Sequence, residues 1–416
     1  MLEAPRVTTC IWLISKYAAL PAYGPGSRLF YLAREFHRAG RETLLLTSDA
    51  NHLARFPESR TRYNHEVFDG VRTIWVNTRK YRKTASVERV LSWLDFERGL
   101  FGMSRSDLPR PDVVIVSSLS LLSVFYGYYL KAACGARLVF EVRDIWPLTM
   151  VEEGGFSRWH PLVVLLGMVE RFGYRKADLV VGTMPRLDLH VREMIGRDKP
   201  FHCSPLGYAP EWEAEETPLP EEFLAKHFPV GKRVVGYAGS MGITNALDPL
   251  MRCIERLSGR TDVHFVLVGG GDLRETYVAR LSGHCNASFV PKIERTQVPS
   301  FLRRCDILYL SVQDSPVWRL GQSLNKMVDY MLAGKPVIAS YSGYPSMLNE
   351  ADAGMFVPAG DADALMAAIV RMVELPADRR AEIGDRGRAW LLANRSYAAL
   401  GRAYLSAIDR LDDHRA

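Results

Sequence analysis

Ser323 to Ile338 reads SLNKMVDYMLAGKPVI, and the reading of this stretch decides the fold. A polar opening leads into apolar residues at helical spacing with Asp329 among them. Gly334 then stops the helix, and Pro336-Val337-Ile338 begins a buried strand. A helix that turns directly into an apolar strand is one corner of a parallel α/β sheet. Many sheets share that outline, so the information lies in Asn325, Lys326, Asp329 and Gly334-Lys335-Pro336.

Outward from this corner the same alternation repeats. Strands are expected at Arg233 to Ser240, His264 to Val268, Ala287 to Val290, Asp306 to Val312 and Lys335 to Ser340. Helices are expected near Ala246 to Leu257, Asp272 to Leu281, Val298 to Arg304 and Leu324 to Ala333, with later ones at Asp361 to Glu374, Ala377 to Ala393 and Ser396 to Arg410. The first half starts the pattern independently. A strand at Arg6 to Ser15, a glycine loop, the helical LFYLAREFHRAG and the strand ETLLLTS are followed by strands at Phe68 to Asn77, Asp112 to Ser118, Arg137 to Val142, Leu179 to Thr183 and Phe201 to Gly207. The expected organisation is therefore two doubly wound Rossmann-like α/β domains. Residues 1–208 form the first, 229–393 the second, and 394–416 a C-terminal helix. Residues 209–228, centred on the acidic and proline-bounded PEWEAEETPLP, are read as a linker.

The totals agree with a two-domain enzyme. The chain has 416 residues, 48% hydrophobic and 24% charged, with net charge +6. That excess of cations favours anionic partners without naming one. Cys10, Cys134, Cys203, Cys253, Cys285 and Cys305 are scattered, with no CxxC and no metal-ligand spacing, so they are expected to be reduced thiols. No signal peptide and no membrane-spanning run is read; Pro161 to Val169 is the longest apolar candidate and is too short. HExxH, GxSxG and the Walker A lysine loop are all absent, which disfavours metallohydrolase, serine-hydrolase and P-loop chemistry.

In doubly wound sheets ligands lie outside the carboxyl ends of the strands, so the loops there are the first candidates. Gly239-Ser240-Met241-Gly242 follows a strong strand; its glycines let backbone N–H groups approach a phosphate, or form a plain tight turn. Gly24-Pro25-Gly26-Ser27-Arg28 stands in the same relation to the first strand, with Arg28 as a charge. Gly269-Gly270-Gly271-Asp272 admits a base or phosphate close to the backbone, with Asp272 as a helix cap. Glu141-Val142-Arg143-Asp144-Ile145-Trp146-Pro147 sets two carboxylates around an arginine just beyond a buried strand, either a local salt-bridge cluster or a cleft-facing group. Arg79 to Phe101 is basic at its start, with Val87, Val90, Leu91, Leu94 and Phe101 at helical spacing. It reads as a core-facing helix after a solvated loop, or as a surface element on an anionic membrane.

With these motifs placed, the chain resembles the family 4 retaining glycosyltransferases of the GT-B fold, and within them the bacterial surface-polysaccharide or O-antigen type. EVRDIWP, YAGSMG, VLVGGG, CDILYLSV, SLNKMVDYMLAGKPV and GMFVPAGDADAL carry the likeness, in family order and over nearly the whole chain. It implies two Rossmann-like domains facing each other across a cleft, with the last helix crossing back to the first. It also implies transfer of a sugar from a nucleotide-diphosphate donor, UDP-linked and N-acetylated or deoxy, to a lipid-linked saccharide. No cofactor, no metal and no nucleic acid is implied. The location implied is the cytoplasm, with peripheral contact at the inner face of an anionic membrane.

By the same resemblance the donor side comprises Gly239, Ser240, Gly242, Gly270, Lys292, Ser323, Asn325, Lys326 and Asp329. The catalytic group is Arg143, Asp144 and Lys326, and the acceptor side is Gly24, Gly26, Arg28 and Glu141. The family's donor motif has two glutamates eight positions apart. Asp329 stands at the second, suited to hold ribose hydroxyls, and Gly321 stands at the first, so Gln322 to Lys326 are expected to take over sugar recognition. The family's basic pair after the first strand of the second domain is also missing from GSMGITNALD, which leaves Lys326, Lys292 or Arg143 to offset the diphosphate charge. Two further readings keep a two-lobed α/β architecture: a sugar-nucleotide epimerase of GT-B type, and a non-catalytic sugar-binding protein.

Overall fold

A computed structural model describes residues 9–24, 26–51, 55–59, 61–81, 86–118 and 120–413. The expected strand start at Arg6, Pro25 of the first glycine loop, residues 82–85 of the basic run and residues 414–416 lie outside these. The chain divides into two compact units, Met1–Gly207 with Tyr397–Ala416, and Tyr208–Ser396.

Unit 1 is built on β1 (Cys10–Ile14), β2 (Glu42–Ser48), β3 (Tyr63–Phe68), β4 (Val71–Val76), β5 (Val113–Ser117), β6 (Arg137–Val142), β7 (Leu179–Gly182) and β8 (Phe201–Cys203). Their order is β3-β4-β2-β1-β5-β6-β7-β8, parallel except for β3 against β4. The central strands CIWLI and VVIVS are buried along their whole length, as apolar strands covered on both faces must be. The helices are α1 (Arg28–Arg38), α2 (Val87–Phe101), α3 (Ser123–Cys134), α4 (Leu148–Glu152), α5 (Pro161–Lys176) and α6 (Leu187–Ile195).

Unit 2 opens with α7 (Glu211–Ala214) and α8 (Glu221–His227). Its sheet comprises β9 (Arg233–Ala238), β10 (Val263–Val268), β11 (Ala287–Val290), β12 (Ile307–Ser311), β13 (Val337–Ser340) and β14 (Gly354–Val357). The order is β11-β10-β9-β12-β13-β14, all parallel. Its other helices are α9 (Asp248–Arg256), α10 (Arg274–Arg280), α11 (Val298–Arg304), α12 (Asn325–Leu332), α13 (Ala362–Glu374) and α14 (Ala377–Asn394). The last helix, α15 (Tyr397–Asp413), belongs to unit 1 and packs on α1, with Tyr397 stacked on Tyr31 at 5.0 Å.

One device recurs at the amino edges of both sheets. The aspartate before β5, Asp112, accepts from Cys10 N at 2.8 Å; Asp178, before β7, accepts from Leu138 N; and Asp306, before β12, accepts from Val234 N, both at 2.9 Å. Each carboxylate satisfies the N–H of the first or second residue of the neighbouring strand, which explains why an acid begins DVVIVS, DLVVG and DILYLS.

Two expectations need correction. Residues 209–228 are not a free linker: they carry α7 and α8 and are held to the rest of unit 2. Arg303 pairs with Glu213 at 3.0 Å and with Glu216, Arg388 pairs with Glu213 at 2.8 Å, and Leu219 N donates to Ser300 Oγ at 3.3 Å. The acids read as solvated because their arginines lie far along the chain. Of the two readings of α2, the core-facing one fails for most of the residues that suggested it, and their exposure fits the surface element. Ser92, Trp93, Phe96, Gly99 and Leu100 face inward, while Val87, Val90, Leu94 and Phe101 are exposed.

Candidate functional site

In unit 2 the strand order reverses between β9 and β12, and the loops beyond their carboxyl ends are therefore the place for a ligand. The loop after β9 is clasped by the one after β10. Gly239 N donates to Val268 O at 2.9 Å, Met241 N to Gly270 O at 2.7 Å, and Leu273 N to Met241 O at 3.0 Å. A Cβ on Gly269 would stand 1.9 Å from Gly239 O, and one on Gly271 would stand 2.7 Å from the Met241 backbone. The glycines are demanded by the approach of two backbones. The loop after β12 closes the other side: Gln313 N donates to Thr244 O at 3.0 Å and Ser311 Oγ to Asn245 O at 2.5 Å.

Into this corner α12 sends Lys326. Its Nζ donates to Tyr237 Oη at 2.9 Å and to Asn245 Oδ1, and lies 4.7 Å from the Tyr237 ring centre. Tyr237 Oη in turn donates to Ser240 O at 2.6 Å. No carboxylate of a described residue takes part, and burial lowers the Lys326 pKa to about 8. A Cβ at Gly239 would meet Lys326 Cε at 2.4 Å, so that glycine makes room for the lysine stem. Gly270 does the same more loosely for Lys292, whose Cε would be 3.3 Å away.

One turn along α12, Asp329 is half-buried. Burial raises its pKa to about 6, against the pull of Arg295. No hydrogen bond from another described residue reaches its carboxylate, which leaves both oxygens open to a ligand. The unit thus brings together Gly239, Ser240, Gly242, Gly270, Lys292, Asn325, Lys326 and Asp329. It adds Tyr237, which opens the YAGSMG motif but was given no role there, and Arg295, which lies in none of the quoted motifs. Asn325 is exposed and Ser323 half-buried at the start of α12. A cavity of about 620 Å³ opens beyond β12 and β13, lined in part by Asp314, Arg319 and Tyr344.

Gly321 has φ +96° and is buried, a conformation that favours glycine over any side chain. The missing first glutamate is therefore built into the backbone path. Gln322, expected to compensate, is instead 2% exposed: it donates to Ser346 Oγ at 3.3 Å and accepts from Leu324 N at 3.2 Å.

In unit 1 the acceptor-side expectation is corrected for Arg28 and Glu141. Arg28 Nη1 meets Glu141 Oε2 at 2.7 Å, both side chains are almost wholly buried, and the guanidinium also donates to Ser204 O at 2.6 Å and Pro205 O at 3.2 Å. Glu141 accepts from Ser117 Oγ at 2.9 Å. This network ties α1 to β5, β6 and the segment after β8 and leaves nothing for a ligand. Gly24 has open space around it, while Gly26, at φ +60°, lies against the Tyr31 ring as the chain enters α1. Arg143 and Asp144 follow β6. Burial lowers the arginine pKa and raises that of the aspartate, which Arg143 partly counters. Ser118 Oγ accepts from Arg143 N at 3.1 Å.

A second group in unit 1 lies outside the sequence motifs. The strand order reverses between β1 and β5, and just beyond β1 stands Lys16, fully buried, with Nζ donating to Ala50 O at 2.9 Å. Burial lowers its pKa to about 7. Burial likewise raises Glu97 to about 8, although Ser123 Oγ donates to it at 2.6 Å. Asp49, beyond β2, is buried as well and pairs with Lys80 at 2.5 Å. Charged residues directly after apolar strands, as in CIWLISK and ETLLLTSD, were the available signal. Among the described residues no three His, Cys, Asp or Glu side chains are grouped to hold a metal ion.

Two α/β units, each with ionisable groups beyond the carboxyl ends of the strands, are the architecture expected of a GT-B glycosyltransferase. Residues 23–207 match the glycosyl transferase 4-like domain and residues 232–374 match the glycosyl transferases group 1 family. The chain belongs to the family 4 type of glycosyltransferase and has the GT-B fold. It is 23% identical over 291 residues to a probable glycosyltransferase, WbjE, of Pseudomonas aeruginosa, covering 67% of this chain and 71% of that protein. Among solved structures, sucrose-phosphate synthase from Thermosynechococcus elongatus superposes with TM-score 0.71 at 17% identity, over 98% of this chain and all of the other. The Anabaena protein HepE in complex with UDP and glucose superposes with TM-score 0.64 at 14% identity, over 97% of this chain and all of the other.

Proposed function

We propose that this glycosyltransferase moves a sugar, with retention of anomeric configuration, from a UDP-linked donor held by unit 2 to a lipid-linked saccharide in surface-polysaccharide assembly. The observation that carries the donor assignment is the Lys326–Tyr237–Asn245 cluster beside the open carboxylate of Asp329 at the switch point of unit 2. An ammonium with no carboxylate partner, next to a glycine loop, is suited to a diphosphate, and a free carboxylate is suited to two ribose hydroxyls. UDP in the HepE complex supports the choice of base; the surface-polysaccharide acceptor rests on the EVRDIWP and SLNKMVDYMLAGKPV likeness.

In this mechanism the bond from the anomeric carbon to the diphosphate oxygen breaks while the acceptor oxygen arrives on the same face. The acceptor proton passes to the departing phosphate, and Lys326, with Lys292 nearby, stabilises the charge that develops there. No metal is required in this scheme. Arg143 and Asp144 keep the catalytic role that the resemblance implies, and Lys16 and Glu97 are assigned to the acceptor side. The enzyme would act in the cytoplasm at the inner membrane face.

A thermal-shift and calorimetric panel of UDP, GDP, ADP and CMP tests the donor site, since a ligand of the folded state raises apparent stability. UDP is expected to bind, and Asp329→Ala and Lys326→Met to weaken it. Binding of another nucleotide in preference, or equal UDP affinity in both variants, overturns the assignment. NMR of the product anomer then decides retention.

A further inference from the structure

α5 is apolar on both sides. Val163, Leu166 and Val169 face inward, while Val164, Leu165 and Met168 are 44%, 53% and 64% exposed. A helix hydrophobic all round is ordinarily buried, yet no described residue covers this outer face. Just ahead of it Trp159 is 80% exposed, and Phe156 is exposed as well. The surface continues sideways, since Phe172 of α5 lies 5.0 Å from Phe125 of α3, itself partly exposed. Contiguous apolar surface of this kind marks a place of interaction.

The charges say with what. Arg158, Arg171, Arg175 and Lys176 are all exposed along the same segment. Glu170, the only acid between residues 156 and 176, is turned inward, where it accepts from Tyr174 Oη at 2.8 Å and meets His190 Nε2 at 3.0 Å. The outer face of this segment is thus apolar at the start of the helix and basic at its end, and the segment itself presents no acid there. Tryptophan and aliphatic side chains enter the headgroup boundary of a bilayer, and cations meet anionic lipid there. No helix among the described residues is long and apolar enough to cross a membrane, so the contact is with its surface.

We propose that α5 and residues 156–160 dock unit 1 on an anionic lipid bilayer. This rests on the surface alone and holds whatever sugar the enzyme transfers.

The full chain is sedimented with vesicles of phosphatidylcholine, or of an equimolar mixture of phosphatidylcholine and phosphatidylglycerol. Binding to the anionic vesicles is expected to be at least about tenfold tighter and to fall with salt. Leu165→Gln with Met168→Gln should reduce it about tenfold, and Arg171→Gln and Arg175→Gln about fivefold each. Val230→Ser, on a fully exposed position of unit 2, should leave binding unchanged. All these side chains are exposed, so melting temperatures should stay within a few degrees and confirm intact folds. Absence of binding to anionic vesicles, or equal binding by the Leu165/Met168 variant, overturns the proposal. So does a wild-type dimer that this variant dissolves without any vesicle binding, since the face would then belong to a second copy.

Discussion

Lys326 Nζ lies 2.9 Å from Tyr237 Oη and 4.7 Å from the centre of the same ring, so one tyrosine of β9 both accepts the lysine's hydrogen bond and lies beneath its charge. Among the described residues no acid compensates the ammonium, which suits it to the anion proposed for this site. Lys326→Met is expected to lower kcat/KM about a hundred- to a thousandfold, the usual loss when one group stabilising developing charge is removed. Circular dichroism should show an unchanged fold. Lys326→Arg should restore little, because Gly239, Tyr237 and Asn245 enclose the lysine stem too closely for a planar guanidinium.

The pH dependence follows from the same two groups. Asp329 must be ionised to hold hydroxyls, which fails as pH drops through about 6; Lys326 must be charged, which fails as pH rises through about 8. A bell-shaped kcat/KM with limbs near those values is expected. Asp329→Asn should remove the acid limb along with most donor affinity. It should also stabilise the enzyme at neutral pH. The carboxyl's folded pKa is raised, so its ionisation costs stability as pH climbs from about 4 to about 6, by no more than about 3 kcal/mol. Calorimetry of both proteins at pH 7 checks the sign.

Gly321 allows a direct test of why the first glutamate is absent. Gly321→Glu restores the family's residue but forces a side chain onto φ +96°, at a cost of about 1–3 kcal/mol. The expected result is a lower melting temperature with no gain in donor affinity. Gly269→Ala should cost more, since its Cβ would stand 1.9 Å from Gly239 O, whereas Gly259→Ala, with nothing within 4 Å, is the neutral control.

How much of this was legible beforehand depended on distance along the chain. The corner from Asn325 to Ser340 declared itself because helix period, glycine stop and apolar strand are local signals, and Arg137–Val142 and Ala287–Val290 appear with the bounds the residues suggested. β3 was missed because YNHEVF carries charge and histidine on a half-exposed strand. For α2 the residues left two readings, and the core-facing one fails because Trp93 and Phe96, whose larger area decides the buried face, lie opposite Val87, Val90 and Leu94. At the site, Asp329 and Lys326 could be named, but their freedom from acid partners could not. Lys16 gave only the weak hint of a charge after an apolar strand.

Arg28 and Glu141 are 113 residues apart, and the resemblance set both on the acceptor side; together they form a buried pair. Arg28→Met leaves Glu141 without its cation in the interior, at a cost of about 3–5 kcal/mol. UDP affinity should survive wherever the protein remains folded, because the donor cluster is in unit 2. Replacing both, Arg28→Met with Glu141→Leu, should recover part of the loss by removing the unpaired charge. Recovery should stay incomplete, since Ser204 O, Pro205 O and Ser117 Oγ lose their partners as well. Thermal melting and UDP titration of the three proteins separate the cases. A single variant that keeps its melting temperature but loses turnover would return Arg28 to the acceptor site.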